Sequence, residues 1–173
     1  MKFLKIVLIV FLIVSCAPIK VNYDFDNNIN FSDYKTYNYY ANMKTGLSDL
    51  DTKRFLDALD EKMIAKGFTL VEKPDFFIDI KSNEFQAAQR NTVGVGLGGG
   101  GRNVGGGVSI GIPIGQAGVN RQITIDFVDE NGKGLFWQAV SESSFNPNAI
   151  PEKREARLNA IIEKILINYP PKQ

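Results

Sequence analysis

The sequence predicts an α+β fold: a two-layer α/β sandwich with one antiparallel or mixed sheet of about six strands and two helices on one face. Three observations predict it. Two stretches carry apolar residues at helical spacing, several shorter ones alternate with period two, and a glycine-rich block interrupts the strands. The 173 residues suit one domain, and no linker argues for a second.

The chain is expected to open with a leader. Lys2 and Lys5 make a short basic start, and residues 6–14 form an unbroken apolar run. As a helix that run covers about 14 Å, too short for a hydrocarbon core of about 30 Å. A basic start, a short apolar stretch and then small residues form the layout of a cleaved secretory signal. The only cysteine, Cys16, stands where the cut should fall, and Ile13-Val14-Ser15-Cys16 resembles the bacterial lipobox. In a lipobox the cysteine is acylated and becomes the new N-terminus. Residues 1–15 are therefore expected to be a lipoprotein signal peptide, with residues 16–173 a single domain anchored in the membrane through Cys16. Two or three acyl chains make such an anchor far stronger than one. Ala17 replaces the aspartate that retains enteric lipoproteins in the inner membrane, which favours the outer membrane and a domain facing the periplasm.

The elements follow in order. Ile19, Val21, Tyr23 and Phe25 alternate with polar residues, a half-buried strand that Asp26-Asn27-Asn28 breaks. Residues 34–40 are rich in Tyr and Thr and read as a second strand. Ser48 or Asp49 can cap a helix that runs to about Lys66 and stops at Gly67. Its stripe is Phe55, Leu56, Leu59, Met63 and Ile64. Residues 68–71 form a short strand, Lys73-Pro74-Asp75 a turn, and Phe76, Ile78 and Ile80 mark a longer strand. Residues 94–118 hold 12 of the 16 glycines. Two β-like arms there, around Val93, Val95 and Leu97 and around Val108, Ile110, Ile112 and Ile114, predict a glycine-rich hairpin, the softest part of the domain. Ile123, Ile125 and Phe127 belong to a strong strand over 119–129, which Asn131-Gly132 turns into a returning strand over 135–145. Pro151 starts the last helix, with Leu158, Ile161, Ile162, Ile165, Leu166 and Tyr169 on one stripe.

Composition excludes several functions. Histidine is absent, which removes imidazole bases, His-containing triads and most zinc and iron sites. One cysteine allows no intrachain disulfide and no Cys-Cys metal site. The formal charge of +1 falls slightly negative once Lys2 and Lys5 leave with the signal, so no nucleic-acid footprint is expected.

The ordered series Val21-Asn22-Tyr23-Asp24, Phe31-Ser32-Asp33-Tyr34-Lys35-Thr36-Tyr37, Lys66-Gly67-Phe68, Pro74-Asp75-Phe76, Ile125-Asp126-Phe127-Val128-Asp129, Leu135-Phe136-Trp137, Pro151-Glu152-Lys153-Arg154-Glu155-Ala156-Arg157 and Tyr169-Pro170-Pro171 resembles the bacterial lipoproteins grouped as domain of unknown function 4136 (DUF4136). The resemblance covers essentially all of the chain after the signal. It implies an envelope lipoprotein with an α/β sandwich and implies no reaction. Members often carry many aromatics in the glycine-rich segment, and this chain has none there.

Residue chemistry adds candidates. Gly94-x-Gly96-x-x-Gly99 matches a dinucleotide fingerprint in spelling, but further glycines and a β-like arm follow where the motif needs a helix, so no cofactor is expected. Asp24, Asp75, Asp79, Asp126 and Asp129 lie in or beside strands, and two facing one another could serve acid-base chemistry. Asp26, Asn27, Asn28 and Asn30 lack the spacing of a calcium loop, so no metal is expected. Tyr37, Tyr39, Tyr40 and Trp137 could form an aromatic platform, or pack across strands. Glu152, Lys153, Arg154, Glu155 and Arg157 make a dense charged helix start. Asp126, Trp137 and Arg154 are the weak candidates for a binding surface. The expected function is a non-catalytic lipoprotein that binds an envelope protein or polymer. The alternatives are a self-associating envelope module and a carboxylate-based hydrolase of envelope polymers.

Overall fold

The computed structural model describes residues 18–87, 92–95, 110–113, 118–132 and 134–171. Strand β1 (Lys20–Phe25) leads through a 3-10 turn (Phe31–Asp33) into β2 (Thr36–Tyr39), helix α1 (Asp49–Ala65), β3 (Thr69–Leu70) and β4 (Phe76–Gln86). Then come β5 (Thr92–Val95), β6 (Ile110–Pro113), β7 (Val119–Asp129), β8 (Gly134–Phe145) and α2 (Pro151–Leu166). Six strands form one sheet in the order β1-β8-β7-β4-β2-β3. Pairing is antiparallel from β1 to β4 and parallel among β4, β2 and β3, so the sheet is mixed.

Period two places Phe76, Ile78, Ile80, Ile123, Ile125, Phe127 and Ala139 on one face, all fully buried. Both helices cover that face. Phe55, Leu59 and Met63 of α1 share one apolar cluster with Leu158, Ile161, Ile162 and Ile165 of α2 and the strand residues. Each large apolar side chain buried this way stabilises the fold by about 1.5–3 kcal/mol. Helix α1 begins at Ser48, whose Oγ accepts from the Asp51 N–H at 3.3 Å. It ends at Gly67 with φ +88°, where the Phe68 N–H reaches back to the Met63 carbonyl at 3.0 Å. In α2, Pro151 occupies the first turn without a side-chain cap. The helices lie side by side with their N-termini together, since Arg154 reaches Asp51 at 2.6 Å. Their C-terminal ends meet too, where Lys66 Nζ donates to the Tyr169 carbonyl at 2.8 Å.

Two details escape simple periodicity. Phe127 pairs with Trp137 and Val128 with Leu135, so Phe136 is an extra residue in a β-bulge. The bulge turns consecutive aromatics, Phe136 and Trp137, inward together, and both are about 1% exposed. Asp75, expected in a turn and as one of the carboxylates beside strands, ties β2 to β4: its carboxylate accepts from the N–H groups of Lys35 and Thr36, both at 2.8 Å. Burial alone would raise this carboxyl, but the Lys35 N–H and the hydroxyl and N–H of Thr36 outweigh it and hold it low.

The ladder of β4 and β7 runs to Gln86 opposite Val119, followed by Ala87 N–H to the Gly118 carbonyl at 2.7 Å. Residues 88–117 are thus an excursion between two adjacent strands. Within it β5 and β6 pair antiparallel as a separate two-stranded sheet, Val93 opposite Ile112 and Gly94 opposite Gly111. The glycine-rich loop expected between these arms lies outside the described residues, as do Gly96 and Gly99. So do Cys16 and its flank Ile13, Val14 and Ser15.

Candidate functional site

At the N-terminal ends of both helices the buried face stops being apolar. Three repeats break here in step. Asp51 precedes Phe55 by four residues on α1, Arg154 precedes Leu158 by four on α2, and Arg121 precedes Ile123 by two on β7. Each is a charged residue in phase with a core stripe. Ser141 and Ser143 continue the inner face of β8 to the same end, and both are buried. Asp51 is 1% exposed and Arg121 is 6% exposed.

These charges are buried because they meet. Asp51 Oδ1 accepts from Arg54 at 2.9 Å and Oδ2 from Arg154 at 2.6 Å, while Arg121 lies 3.7 Å from Oδ2. Arg121 also donates to Glu84 at 2.6 Å, its cross-strand neighbour on β4. The Arg121 guanidinium lies 3.4 Å from the centre of the Phe145 ring and that of Arg154 lies 5.7 Å from it. One carboxylate therefore gathers guanidinium groups from α1, β7 and α2. Its place in the first turn of α1 also suits the positive end of that helix.

A cavity of about 290 Å³ opens beside this network. Phe145, Ala149, Leu158 and Ile161 supply apolar wall; Arg121, Lys153, Arg154 and Arg157 supply four cations against the single carboxylate of Asp51. Among the described residues Lys153 is exposed and enters no ion pair. The Arg121 Nε is buried and has no hydrogen-bond partner among the described residues. The site is cationic and partly apolar, which suits holding an anionic group.

The candidates read from the sequence separate. Arg154 is in this pocket, with Lys153 and Arg157 from the same charged helix start. Trp137 lies in the core against Phe127 and Tyr169, at 4.5 and 4.9 Å between ring centres. Asp126 lies on the opposite, open face of the sheet, where it accepts from Gln138 at 2.7 Å. The three do not form one surface. Asp126 does face a second carboxylate: Asp79 is its cross-strand partner, and Lys81 sits between them at 2.6 Å from Asp79 and 3.5 Å from Asp126. The hydrogen bond that Lys81 donates to Asp79 raises Lys81 above its usual range, and the charges of Asp79 and Asp126 add to that against burial. Asp24 is exposed and Asp129 accepts from the Tyr34 hydroxyl at 3.1 Å. Burial, then that bond to Asp129, pushes Tyr34 up to about 12.

The aromatic platform is divided as well. Tyr37 is buried and, with Tyr39, donates to Asp60 Oδ1 at 2.7 and 2.6 Å, whereas Tyr40 stacks on Phe77 at 5.1 Å. Asp26 and Asn30 spend oxygens on their own turn, accepting from the N–H groups of Asn28 and Ser32. Sequence reasoning missed Asp51 and Arg121. The signal was present: a charged residue in register with a buried stripe on each of two elements, opposite in sign.

A mixed sheet with two helices on one face and an arginine pocket at one end defines an α+β domain with a site suited to binding. The chain belongs to the family described as domain of unknown function (DUF4136), whose model matches residues 21–171. Among solved structures it is similar to a PDZ domain protein from Parabacteroides distasonis, with TM-score 0.58 and 13% identity. That match covers 91% of this chain and 36% of the other, so this chain spans about a third of that protein. A DUF4136 family protein from Bacteroides thetaiotaomicron matches at TM-score 0.49 and 13% identity, over 88% of this chain and 96% of that one. The dodecameric PelC from Paraburkholderia phytofirmans matches at TM-score 0.48 and 12% identity, over 90% of this chain and all of that one. No curated protein matches the chain in sequence.

Proposed function

We propose that this chain is an outer-membrane lipoprotein, acylated at Cys16, whose periplasmic domain binds an anionic envelope component and catalyses no reaction. The observation that carries the anchoring is the sequence Ile13-Val14-Ser15-Cys16, which puts the chain's only cysteine where a lipobox requires it. The shortness of the tether then sets how close the domain sits to the membrane. Strand β1 starts at Lys20, so only four residue steps separate it from Cys16, a reach of at most about 14 Å. The fold thus begins almost at the acyl group, and binding takes place at the membrane surface. The arginine pocket supports the binding half of the reading. Its central carboxylate has both oxygens occupied by guanidinium groups, which suits it to order the arginines rather than to transfer protons.

Mass spectrometry of the mature N-terminus tests the anchor. An N-terminal Cys16 carrying a diacylglyceryl thioether is expected, with Cys16→Ser leaving the signal attached or releasing the protein from membranes. An unmodified Cys16, or cleavage elsewhere, overturns the reading.

A further inference from the structure

We infer that the arginine pocket takes a carboxylate carried beside a small apolar group, the chemistry presented by the C-terminal residue of a peptide. This deepens the binding reading above and rests on it. Three observations carry it.

The first is charge. Arg54, Arg121 and Arg154 share Asp51, and among the described residues Glu84 pairs with Arg121 alone. Three guanidiniums against two carboxylates leave positive charge over, and Lys153 at the rim adds to it. The N-terminal ends of α1 and α2 meet at the same place and contribute the positive ends of their dipoles. The second is an unused donor. The Arg121 Nε is buried with no partner among the described residues, and the residue, 6% exposed, lines the cavity. Leaving a buried donor of a charged group unmade is costly, and an incoming acceptor relieves that cost. The third is the wall. Phe145, Ala149, Leu158 and Ile161 are apolar, and about 290 Å³ is at the small end for a ligand site, room for one ring or branched chain.

A monoanionic carboxylate fits these better than phosphate. Asp51 already displays how the site receives a carboxylate, one oxygen to each of two arginines. The same Asp51 stands in the cavity wall and repels a dianion about twice as strongly as a monoanion. Phosphate also has no group to place against Phe145 and Leu158.

The test uses the full chain purified in an uncharged maltoside detergent, titrated calorimetrically with N-acetyl-phenylalanine, its neutral amide and inorganic phosphate. The acid is expected to bind, with the amide at least about tenfold weaker and phosphate unable to compete. Arg154→Gln should weaken the acid by about tenfold or more, with Arg154→Lys restoring only part because it lacks the planar fork. If Arg154→Gln does not fold, Lys153→Gln serves, since Lys153 is exposed and outside the network; several-fold weakening is expected. Equal binding of acid and amide overturns the inference. Binding of phosphate alone also overturns it while leaving an anion site standing. No binding of either anion overturns the inference and the binding reading together, and the anchor is judged separately at Cys16.

Discussion

Asp51 lies four residues before Phe55, in phase with the apolar stripe of α1, yet it is charged and 1% exposed. Its burial is tolerated because Arg54 and Arg154 meet its two oxygens, and Arg121 stands behind them. Breaking a fully buried pair typically costs about 3–5 kcal/mol. Here Arg54 and Arg154 are part-exposed and Arg121 keeps Glu84, so the loss on removing the Asp51 charge falls below that range. Asp51→Asn keeps the shape and removes the charge. Its melting temperature is expected to fall by about 2–4 °C for each kcal/mol lost, a large shift in a thermal melt. Lys53→Ala serves as the contrast. Lys53 and Asp57 also form an ion pair, at 2.6 Å, but both are well exposed, so a change within about 1 kcal/mol is expected. If the two variants melt alike, Asp51 is not the clamp argued for. Gly46 shows the same dependence on surroundings by steric means. Its φ is +72° and an added Cβ would collide with the Ser82 carbonyl oxygen, so the chain can pass β4 there only as glycine.

At the scale of elements, the clearest periodicities were fully legible. Helix α2 follows its stripe to Leu166, and β7 follows its alternation, because one face of each meets a continuous apolar layer. Strand β4 runs on to Gln86, beyond the apolar residues that announced it. There the pairing with β7, not side-chain burial, sustains the strand. Strand β3 shrinks to Thr69–Leu70 for the converse reason, since among the described residues it pairs with β2 alone. The excursion of 88–117 leaves and re-enters between strands already joined up to Gln86 and Val119. Shortening it across residues 98–107 should therefore leave the melting temperature nearly unchanged, since loop-closure entropy varies slowly with length. A marked loss of stability in that deletion would show that these residues hold contacts the sheet needs.

At the scale of the whole molecule, both helices and the sheet share a single apolar cluster, closed at one end by the arginine network and at the other by packed aromatics. Trp137, the only tryptophan, stands in that cluster at 1% exposure. Its fluorescence and the far-UV circular dichroism should accordingly report one coincident unfolding transition in denaturant. Separated transitions would divide the domain into parts that fold independently. The sequence by itself determined the class of fold, the periods and stops of the long elements, the family resemblance and the expectation of an anchor at Cys16. These depend on local order: spacing along one element sets which face is apolar, and a turn or cap acts within a few residues. It singled out Arg154 only as one charge in a dense run, and it grouped Asp126 and Trp137 with it. Only the tertiary structure placed those three on an open face, in the core and in a pocket, and brought Asp51, Arg121 and Arg154 together from three elements. The physical reason is that a buried charge is stable only beside its partner. Partners more than 30 positions apart in the chain meet through strand order and helix placement, which no local spacing encodes.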